Sequence, residues 1–406
     1  MFLSSRVMAA NESITLKINQ TVVKMGEAGK RVFNLTAGQL PFKPMTQFIE
    51  KINAQTNFLK SYQYSPVAGF EDLRKKILDY TQTSRDINFK NGGEEFDVVL
   101  SNGAKHSIYN VLGAVVDPSD EVILLAPYWV SYPEMIKFWG GTPICIESFS
   151  YDGFTPDLDN IRKAISRKTK AIILNSPNNP TGISYSKKWM EEFAKLMIEH
   201  PEILIISDEI YYEIAYFDPK PTYFYQAHQE LLARTIIVDG ISKSLACTGL
   251  RMGWAIGPKK IIAAITKLQG QTTSGPSSLI QRAMAEFDFS KLDEFLVPVR
   301  NHLRKNSEIL REKFRQHSLS NCWYQSTSAF YFMIDYKRTP YFEKMGRPDE
   351  DLANEISLKL LDETGIAVVP GSDFGAPNTA RMSIVLEEGP FTEAMDKLTK
   401  FLSQNA

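Results

Sequence analysis

The sequence has few of the residues that build disulfide frameworks or metal sites. Its 406 residues include three cysteines and five histidines. The cysteines, Cys145, Cys247 and Cys322, are odd in number and far apart, which is typical of reduced thiols and excludes a disulfide scaffold or a zinc finger. The histidines show no metal-binding spacing, so we expect no metal.

An excess of one charge and long apolar runs are also missing. The formal net charge is -1, so no basic surface for nucleic acid or a membrane is indicated. No apolar run approaches the roughly 20 residues that span a bilayer. The N-terminal segment lacks the apolar core of a secretory signal. We therefore expect a cytoplasmic protein with neither a nucleic-acid nor a membrane partner.

Short β-rich runs alternate with helical segments from about residue 97. The predicted strands are 97–101, 121–126, 142–147, 171–175, 203–209 and 235–240. The predicted helices are 13–28, 69–82, 105–116, 186–200 and 291–317, before a mixed α/β pattern that runs to the C-terminus. Strands alternating with helices predict a doubly wound α/β core. Because ligands bind beyond the carboxyl ends of the strands in such a sheet, the polar residues after each strand are the candidate site.

Three of these strand ends carry features that suit a phosphorylated, planar ligand. The turn in "SNGAKHSIYN" (101–110) opens directly into a helix, which favours a phosphate, although a plain strand-to-helix turn is the alternative. Trp129, in "APYWVSYPE", is placed either to stack on a flat ring or to fill the core. The segment "SPNNPTG" (176–182) forms a rigid loop rich in asparagine or a structural turn.

Two further strand ends carry ionisable residues. Asp208 ends an apolar strand, with Tyr211 three residues later. Because a buried carboxylate is costly unless it is paired, we expect a cationic partner, and a salt bridge inside the fold is the alternative. Lys243 and Arg251 follow the strand 235–240. A lysine near apolar residues loses its proton more readily and suits a Schiff base, and an arginine can fix an anion, whereas a surface lysine is the ordinary alternative.

These features together describe one ligand. It carries a phosphate, a flat ring, a basic ring nitrogen that faces a carboxylate, and an aldehyde that reacts with a lysine. Pyridoxal 5'-phosphate has all four properties, and a lysine Schiff base with an acidic partner for the ring nitrogen marks its sites. The sequence therefore predicts this cofactor.

The same segments resemble those of a known enzyme family. The pieces "GAKHSIYN", "PYWVSYPEM", "NSPNNPTG", "SDEIYYE" and "SKSLACTGLRMGW" are similar to motifs of the class I/II pyridoxal-phosphate-dependent aminotransferases, most of all the bacterial aspartate aminotransferase branch. The resemblance covers essentially the whole chain. It implies fold type I, with a large domain (41–290) built on a mostly parallel seven-stranded sheet. It also implies a smaller α/β domain formed by residues 1–40 and 291–406, and a homodimer with shared active sites.

The resemblance implies a role for each matching residue. Lys243 would form the Schiff base and carry protons, Asp208 would keep the pyridine nitrogen protonated, and Tyr211 would donate to the phenolic oxygen of the cofactor. The other implied cofactor contacts are the backbone N–H groups of Gly103, Ala104 and Lys105 at the phosphate, Arg251 as its charged partner, Trp129 on the ring, Asn179 at the phenolic oxygen, and Tyr64 at the phosphate of the neighbouring subunit. The implied substrate contacts are Arg381 and the backbone of Gly38 at the α-carboxylate, with Trp129, Asn179 and Lys105 alongside.

The sequence departs from the family pattern in three places. Gly240 stands where many relatives have serine, so one phosphate contact is either missing or supplied by Ser242. The loop "AGQLPFKP" (37–44) replaces an acidic loop that lines the substrate entrance in many relatives. In some relatives, an arginine from one subunit binds the second carboxylate of the substrate in the partner subunit. The corresponding segment here, 268–281, contains no arginine. Lys105 fits that task in this branch, although a lysine at a helix N-terminus can also be a surface residue.

The expected activity is a ping-pong transfer of an amino group from an L-amino acid, with aspartate as the best candidate, to 2-oxoglutarate. An aromatic, alanine or prephenate-type aminotransferase, an aminocyclopropane-carboxylate synthase and a pyridoxal-phosphate-dependent C–S lyase are alternatives on the same fold, which does not choose between them. A ligand-sensing regulator is disfavoured, because the N-terminal segment contains no basic helix-turn-helix pattern.

Overall fold

The computed structural model describes residues 2–9, 14–27, 29–89 and 95–404. The strands of this part are β1 (Phe33–Asn34), β2 (Phe96–Ser101), β3 (Glu121–Leu125), β4 (Thr142–Ile146), β5 (Thr169–Asn175), β6 (Leu204–Asp208), β7 (Thr235–Gly240), β8 (Gly253–Pro258), β9 (Tyr331–Asp335), β10 (Ile366–Ala367), β11 (Val369–Pro370) and β12 (Thr379–Ser383). The α-helices are α1 (Ser5–Ala9), α2 (Ile14–Glu27), α3 (Thr46–Gln55), α4 (Glu71–Arg85), α5 (Ala104–Val115), α6 (Ser131–Phe138), α7 (Leu158–Ala164), α8 (Lys187–Ile198), α9 (Phe224–Ala227), α10 (Ile241–Ser244), α11 (Lys259–Gly270), α12 (Ser278–Glu286), α13 (Leu292–Gln316), α14 (Pro340–Lys344), α15 (Ala353–Thr364) and α16 (Glu388–Leu402).

A seven-stranded sheet forms the centre of the fold, with the strand order β2-β8-β7-β6-β5-β3-β4. The neighbours from β7 to β4 are parallel, while β8 is antiparallel to both β7 and β2. The six predicted strands are confirmed as β2 to β7, and the predicted α/β class is confirmed. Strand β8 was not predicted from the sequence.

Burial explains why these apolar runs become central strands. Ile205 and Ile206 of β6 and Ile236 and Val238 of β7 are fully buried. Such side chains are covered on both faces of the sheet, as expected for strands without a polar face. Helices α5 and α11 pack against β2 and β8 at one edge of the sheet, and α4 packs against β2.

Two smaller sheets involve residues from both ends of the chain. Strands β11, β12 and β9 form an antiparallel sheet, and β1 pairs in parallel with β10. The predicted helix over 291–317 is confirmed as α13, which packs against α16. The predicted helix over 13–28 is observed as α2, and residues 13 and 28 lie outside the described residues. The division into domains stays a prediction, which the β1–β10 pairing supports.

The register of the parallel strands brings their carboxyl ends to one edge. Asn175 at the end of β5 stands beside Asp208 at the end of β6, and Asp208 stands beside Val238 of β7. Lys243 lies in the short helix α10, which follows β7 directly. The predicted polar residues are therefore neighbours in space.

Candidate active site

A cavity of about 670 Å³ opens at this edge of the sheet. All of the predicted site residues line it except Gly103, which lies directly beside it, and Tyr64. Residues from the loop after β1 and from β9 and β12 complete its wall: Gly38, Gln39, Tyr331 and Arg381. The cavity therefore combines groups from the central sheet with groups from the smaller sheets.

Asp208 faces this cavity from a buried position, with 4% of its surface exposed. One carboxylate oxygen accepts a hydrogen bond from the Tyr132 hydroxyl at 2.6 Å, and the other accepts from the backbone N–H of Ile210 at 3.3 Å. Burial raises the pKa of Asp208 to about 6, against the opposing effect of these hydrogen bonds. Within the described residues Asp208 forms no salt bridge, so the alternative of a salt bridge inside the fold is not observed, and the cationic partner stays a prediction. A phenol and a backbone N–H satisfy Asp208 instead, so a cationic ring nitrogen of a ligand suits this carboxylate.

Lys243 projects into the same cavity and is partly buried. Its Nζ donates a hydrogen bond to the carbonyl oxygen of Gly38. Burial, and then the charges of Arg381 and Arg251, lower the pKa of Lys243 to about 8. An amine with this pKa is partly neutral near pH 7, which suits both a nucleophile and a carrier of protons.

The turn after β2 and Arg251 form the phosphate side of the cavity. Gly103 has φ 89° and precedes α5, whose first N–H groups have no acceptor within the helix. A Cβ on Gly103 would lie 2.7 Å from the Arg251 guanidinium, so only glycine allows this close approach. Arg251 donates to the carbonyl oxygens of Thr248 at 2.8 Å and Asn102 at 3.3 Å. The helix N-terminus and this fixed cation suit an anion.

Two details modify the predicted phosphate contacts. The N–H of Gly103 already donates to the carbonyl oxygen of Ser101 at 2.7 Å, which leaves the N–H groups of Ala104 and Lys105 as the better candidates. Ser242 is buried, lines the cavity and lies beside Lys243. Its position is compatible with a phosphate contact in place of the missing serine at position 240.

Trp129 and Lys105 stand together on one wall. The Nζ of Lys105 lies 5.1 Å from the centre of the Trp129 ring and donates to the Ser131 hydroxyl at 3.1 Å. Partial burial, and then the charge of Arg251, lower the pKa of Lys105. The lysine therefore reaches over the cavity rather than away from it.

Arg381 lies at the opposite wall and is 4% exposed. Its guanidinium donates to the Asn179 side-chain oxygen at 3.1 Å and to the carbonyl oxygen of Thr36 at 3.0 Å. It stacks over the rings of Tyr331 and Phe374, 4.6 and 5.1 Å from their centres. Its Nε is buried, and within the described residues it has no hydrogen-bond partner. A fixed guanidinium with an unused donor is suited to a carboxylate.

The loop after β1 closes over the cavity. It contacts Arg381 through Thr36, Lys243 through Gly38, and the Thr248 hydroxyl through the Gln39 side chain at 3.2 Å. This loop was expected at the substrate entrance, and Ala37, Gly38 and Gln39 do line the cavity. The polar side chain that this loop contributes to the cavity wall is the neutral Gln39.

Two tyrosines that hold predicted site residues, Tyr132 and Tyr331, were not predicted from the sequence. Tyr132 donates to Asp208, and the Tyr331 hydroxyl lies 3.2 Å from the Tyr211 hydroxyl. Tyr132 falls within the quoted segment "PYWVSYPEM", three residues after Trp129, so its position in one helical turn was an available signal. Tyr331 had no local signal, because its partner is 120 residues away in the sequence.

Tyr64 lies outside the cavity and is 97% exposed. Phe58, Leu59 and Tyr62 beside it are also exposed, at 56%, 73% and 65%. The structure therefore does not bring Tyr64 to the site of its own chain.

The described part of the chain contains no helix that is both long and apolar enough to cross a bilayer. The same residues contain no group of three or more His, Cys, Asp or Glu side chains that could hold a metal ion.

Comparisons with known proteins agree with this geometry. The sequence model of the family described as aminotransferase class I and II matches residues 30–398. The aspartate aminotransferase of Bacillus subtilis is 32% identical over 406 residues, covering 100% of both chains. The aspartate/prephenate aminotransferase of Thermus thermophilus is 33% identical over 408 residues, covering 99% of both. A solved structure of the Thermus thermophilus aspartate aminotransferase with maleate has a TM-score of 0.86 at 30% identity, covering 99% of this chain and 100% of that one.

The resemblance inferred from the motifs is thereby confirmed over the whole length of the chain. The fold, the residues that line the cavity and the similar proteins all indicate the same family. The chain belongs to the class I and II aminotransferases, and it is a pyridoxal-phosphate-dependent aminotransferase with the fold of the aspartate aminotransferase branch.

Proposed function

We propose that the cavity binds pyridoxal 5'-phosphate and that the enzyme transfers the amino group of L-aspartate to 2-oxoglutarate. The cofactor supplies an electron-withdrawing ring, which lets a bound amino acid lose its α-proton. Asp208 would pair with the ring nitrogen and Trp129 would cover the ring. Arg251 would hold the phosphate, together with the N–H groups of Ala104 and Lys105.

Lys243 would bind the cofactor and then move the proton. Its Nζ has a pKa lowered to about 8, so an uncharged amine is available to take the α-proton and return it on the cofactor side. Tyr211 and Asn179 face the cavity near Asp208 and Arg381, which suits them to the phenolic oxygen of the ring. The Tyr331 hydroxyl would keep the Tyr211 hydroxyl in place.

Arg381 would bind the α-carboxylate of the substrate. Its guanidinium is held by Asn179, Thr36 and two aromatic rings, so little side-chain freedom remains to be lost on binding. The carbonyl of Gly38, already in contact with Lys243, lies at the same wall. The planar fork explains why arginine, rather than lysine, suits this position.

The preference for a dicarboxylate rests on the charges that line the cavity. Among the described residues, the lysines and arginines that line the cavity are Lys105, Lys243, Arg251 and Arg381. Lys243 would bind the aldehyde of the cofactor, Arg251 its phosphate, and Arg381 the α-carboxylate of the substrate. Lys105 is then the remaining cation that could bind a second carboxylate of the substrate. Its position over Trp129, held by Ser131, is the observation that carries the proposal of a distal carboxylate.

A homodimer is part of the proposal. The exposed cluster of Phe58, Leu59, Tyr62 and Tyr64 is an apolar surface of a kind that marks protein interfaces. Tyr64 would then reach the phosphate site of the partner, where Arg251 is exposed. All three cysteines are free thiols, which supports the predicted cytoplasmic location.

A donor panel with Lys105→Gln tests the substrate class. The variant is expected to lower kcat/KM for aspartate by about 10-fold, because the ion pair between the Lys105 side chain and the distal carboxylate is lost. Alanine and phenylalanine have no distal carboxylate, so their kcat/KM should change little. Lys137→Gln, a substitution in the Lys137–Glu134 surface pair, is the matched control. An equal loss for all donors would contradict the distal-carboxylate role. Release of ammonia or a thiol without formation of glutamate from 2-oxoglutarate would indicate a lyase.

A further inference from the structure

A buried ionic cluster lies directly behind the strand ends that carry Asp208 and Lys243. Its centre is Arg85, the last residue of α4, whose side chain is fully buried. The guanidinium donates to the Glu209 carboxylate at 3.1 Å and to the Asp239 carboxylate at 2.8 Å. It also stacks over the Tyr212 ring, 3.7 Å from its centre. None of these residues lines the cavity.

The two carboxylates belong to the strands that carry the site. Glu209 follows Asp208 directly, so their side chains point in different directions from the end of β6. Asp239 lies in β7, four residues before Lys243. Glu209 also donates its backbone N–H to the carbonyl oxygen of Val238 in β7 at 2.8 Å. Arg85 therefore ties the backbone next to Asp208 to the backbone leading into Lys243.

Other contacts fix each carboxylate in one orientation. Glu209 accepts from the hydroxyls of Tyr225 at 2.7 Å and Ser207 at 2.8 Å. Asp239 accepts from the backbone N–H of Gly240 at 2.7 Å. Both oxygens of each carboxylate therefore accept a hydrogen bond.

The cluster also has charged neighbours that limit its freedom. Glu213 lies 4.0 Å from Arg85 and is bonded to Tyr80 and to Arg300. One buried guanidinium thus serves two buried carboxylates, with a third at the edge. Removing it would leave charges without a partner, which is strongly destabilising.

We propose that Arg85 is a positioning residue, which sets the distance between Asp208 and Lys243 through Glu209 and Asp239. This inference rests on the proposed function, since both residues would contact the cofactor. Cofactor sites require supporting contacts that hold their groups to within about 0.5 Å. Arg85 supplies such support from the side of the strand ends that is hidden from the ligand.

Arg85→Lys is the informative variant, because it keeps the charge and loses the fork that reaches both carboxylates. The dissociation constant of pyridoxal phosphate, measured by titrating the apoprotein, is expected to rise at least about 10-fold, and kcat with aspartate to fall by about 10- to 100-fold. The KM for aspartate should stay within about 3-fold, because Arg381 is not involved. The pH midpoint of the visible band of the bound cofactor should shift.

Arg74→Lys is the matched control. Arg74 lies in the same helix and pairs with Asp97 on β2, away from Asp208 and Lys243. It should lower thermal stability without changing the cofactor dissociation constant, kcat or the band. If both variants change these quantities equally, the positioning role is overturned.

A triple variant covers the case in which Arg85→Lys fails to fold. Arg85→Met, Glu209→Gln and Asp239→Asn together remove every charge of the cluster and keep the side-chain sizes, an exchange that folded proteins often tolerate. Weakened cofactor binding in the folded triple variant supports the inference, and wild-type binding and kcat overturn it. Wild-type protein that shows no cofactor band and no transamination would instead contradict the proposed function.

Discussion

The stability of the Asp239→Asn variant relative to wild type is expected to increase as the pH rises. Burial raises the pKa of Asp239 to about 7, although Arg85 and the Gly240 N–H act against that rise. An unfolded aspartate has a pKa of about 3.9. The folded state therefore binds more protons between these two values, so the free energy of unfolding falls as the pH rises from about 4 to about 7. Asparagine does not titrate and removes this loss.

The magnitude follows from the separation of the two pKa values. At about 1.4 kcal/mol for each pH unit, ionisation of the carboxylate lowers the free energy of unfolding by about 1 to 2 kcal/mol at pH 5 and by about 4 kcal/mol at pH 8. The difference in the free energy of unfolding between Asp239→Asn and wild type should therefore increase by about 2 to 3 kcal/mol over this range. Asparagine keeps a side-chain oxygen that can accept from Arg85, so the fold should be retained.

The assay is urea unfolding of the apoprotein at pH values between 5 and 8. Asp97→Asn provides the control, since its carboxylate pairs with Arg74 where both side chains are about a quarter exposed, at 24% and 21%. That substitution is expected to lower the free energy of unfolding. A difference for Asp239→Asn that is constant or shrinks as the pH rises would refute the reasoning.

Three further substitutions test the roles of cavity residues. Lys243→Ala should abolish turnover, because no other amine in the cavity is placed to bind the cofactor and carry the proton, and substantial activity would contradict the assignment. Arg381→Lys should lower kcat/KM for aspartate by about 100-fold, or about 3 kcal/mol, since a point charge cannot replace the fork; an unchanged kcat/KM would remove its role at the carboxylate. Tyr331→Phe keeps the ring under Arg381 and removes the contact with Tyr211, so kcat should fall by up to about 10-fold, the worth of one hydrogen bond. No change in kcat or in the cofactor band would show that Tyr211 needs no such support.

The central sheet could be predicted because its signals are local. Strands such as β5 and β6 are short apolar runs that end in polar residues, and each is separated from the next strand by helical segments. Strand β8 was not predicted, because it begins with Gly253, only two residues after Arg251, and follows β7 without a long helix. Strands β1, β10 and β11 contain two residues each, which is too short for any periodic pattern to appear.

The predicted site residues could be placed because each follows a strand, and parallel strands end at one edge. The supporting contacts could not be predicted, because they join residues that are far apart in the sequence. Tyr132 and Asp208 are separated by 76 residues, and Arg85 and Asp239 by 154. The alternative that the sequence left open for Asp208, a salt bridge inside the fold, illustrates the difficulty. Arg85 does bind a carboxylate at the end of β6, but that carboxylate belongs to Glu209, on the other side of the strand end.

The central claim is that this cavity binds pyridoxal phosphate through Lys243 and accepts the amino group of aspartate. The visible absorption spectrum of the purified protein, recorded before and after adding L-aspartate without any oxo acid, tests it most directly. The account predicts a band of lysine-bound cofactor that aspartate converts to that of the pyridoxamine form. A protein that shows no such band after addition of the cofactor would contradict the cofactor assignment, and a band that aspartate leaves unchanged would contradict the proposed amino donor.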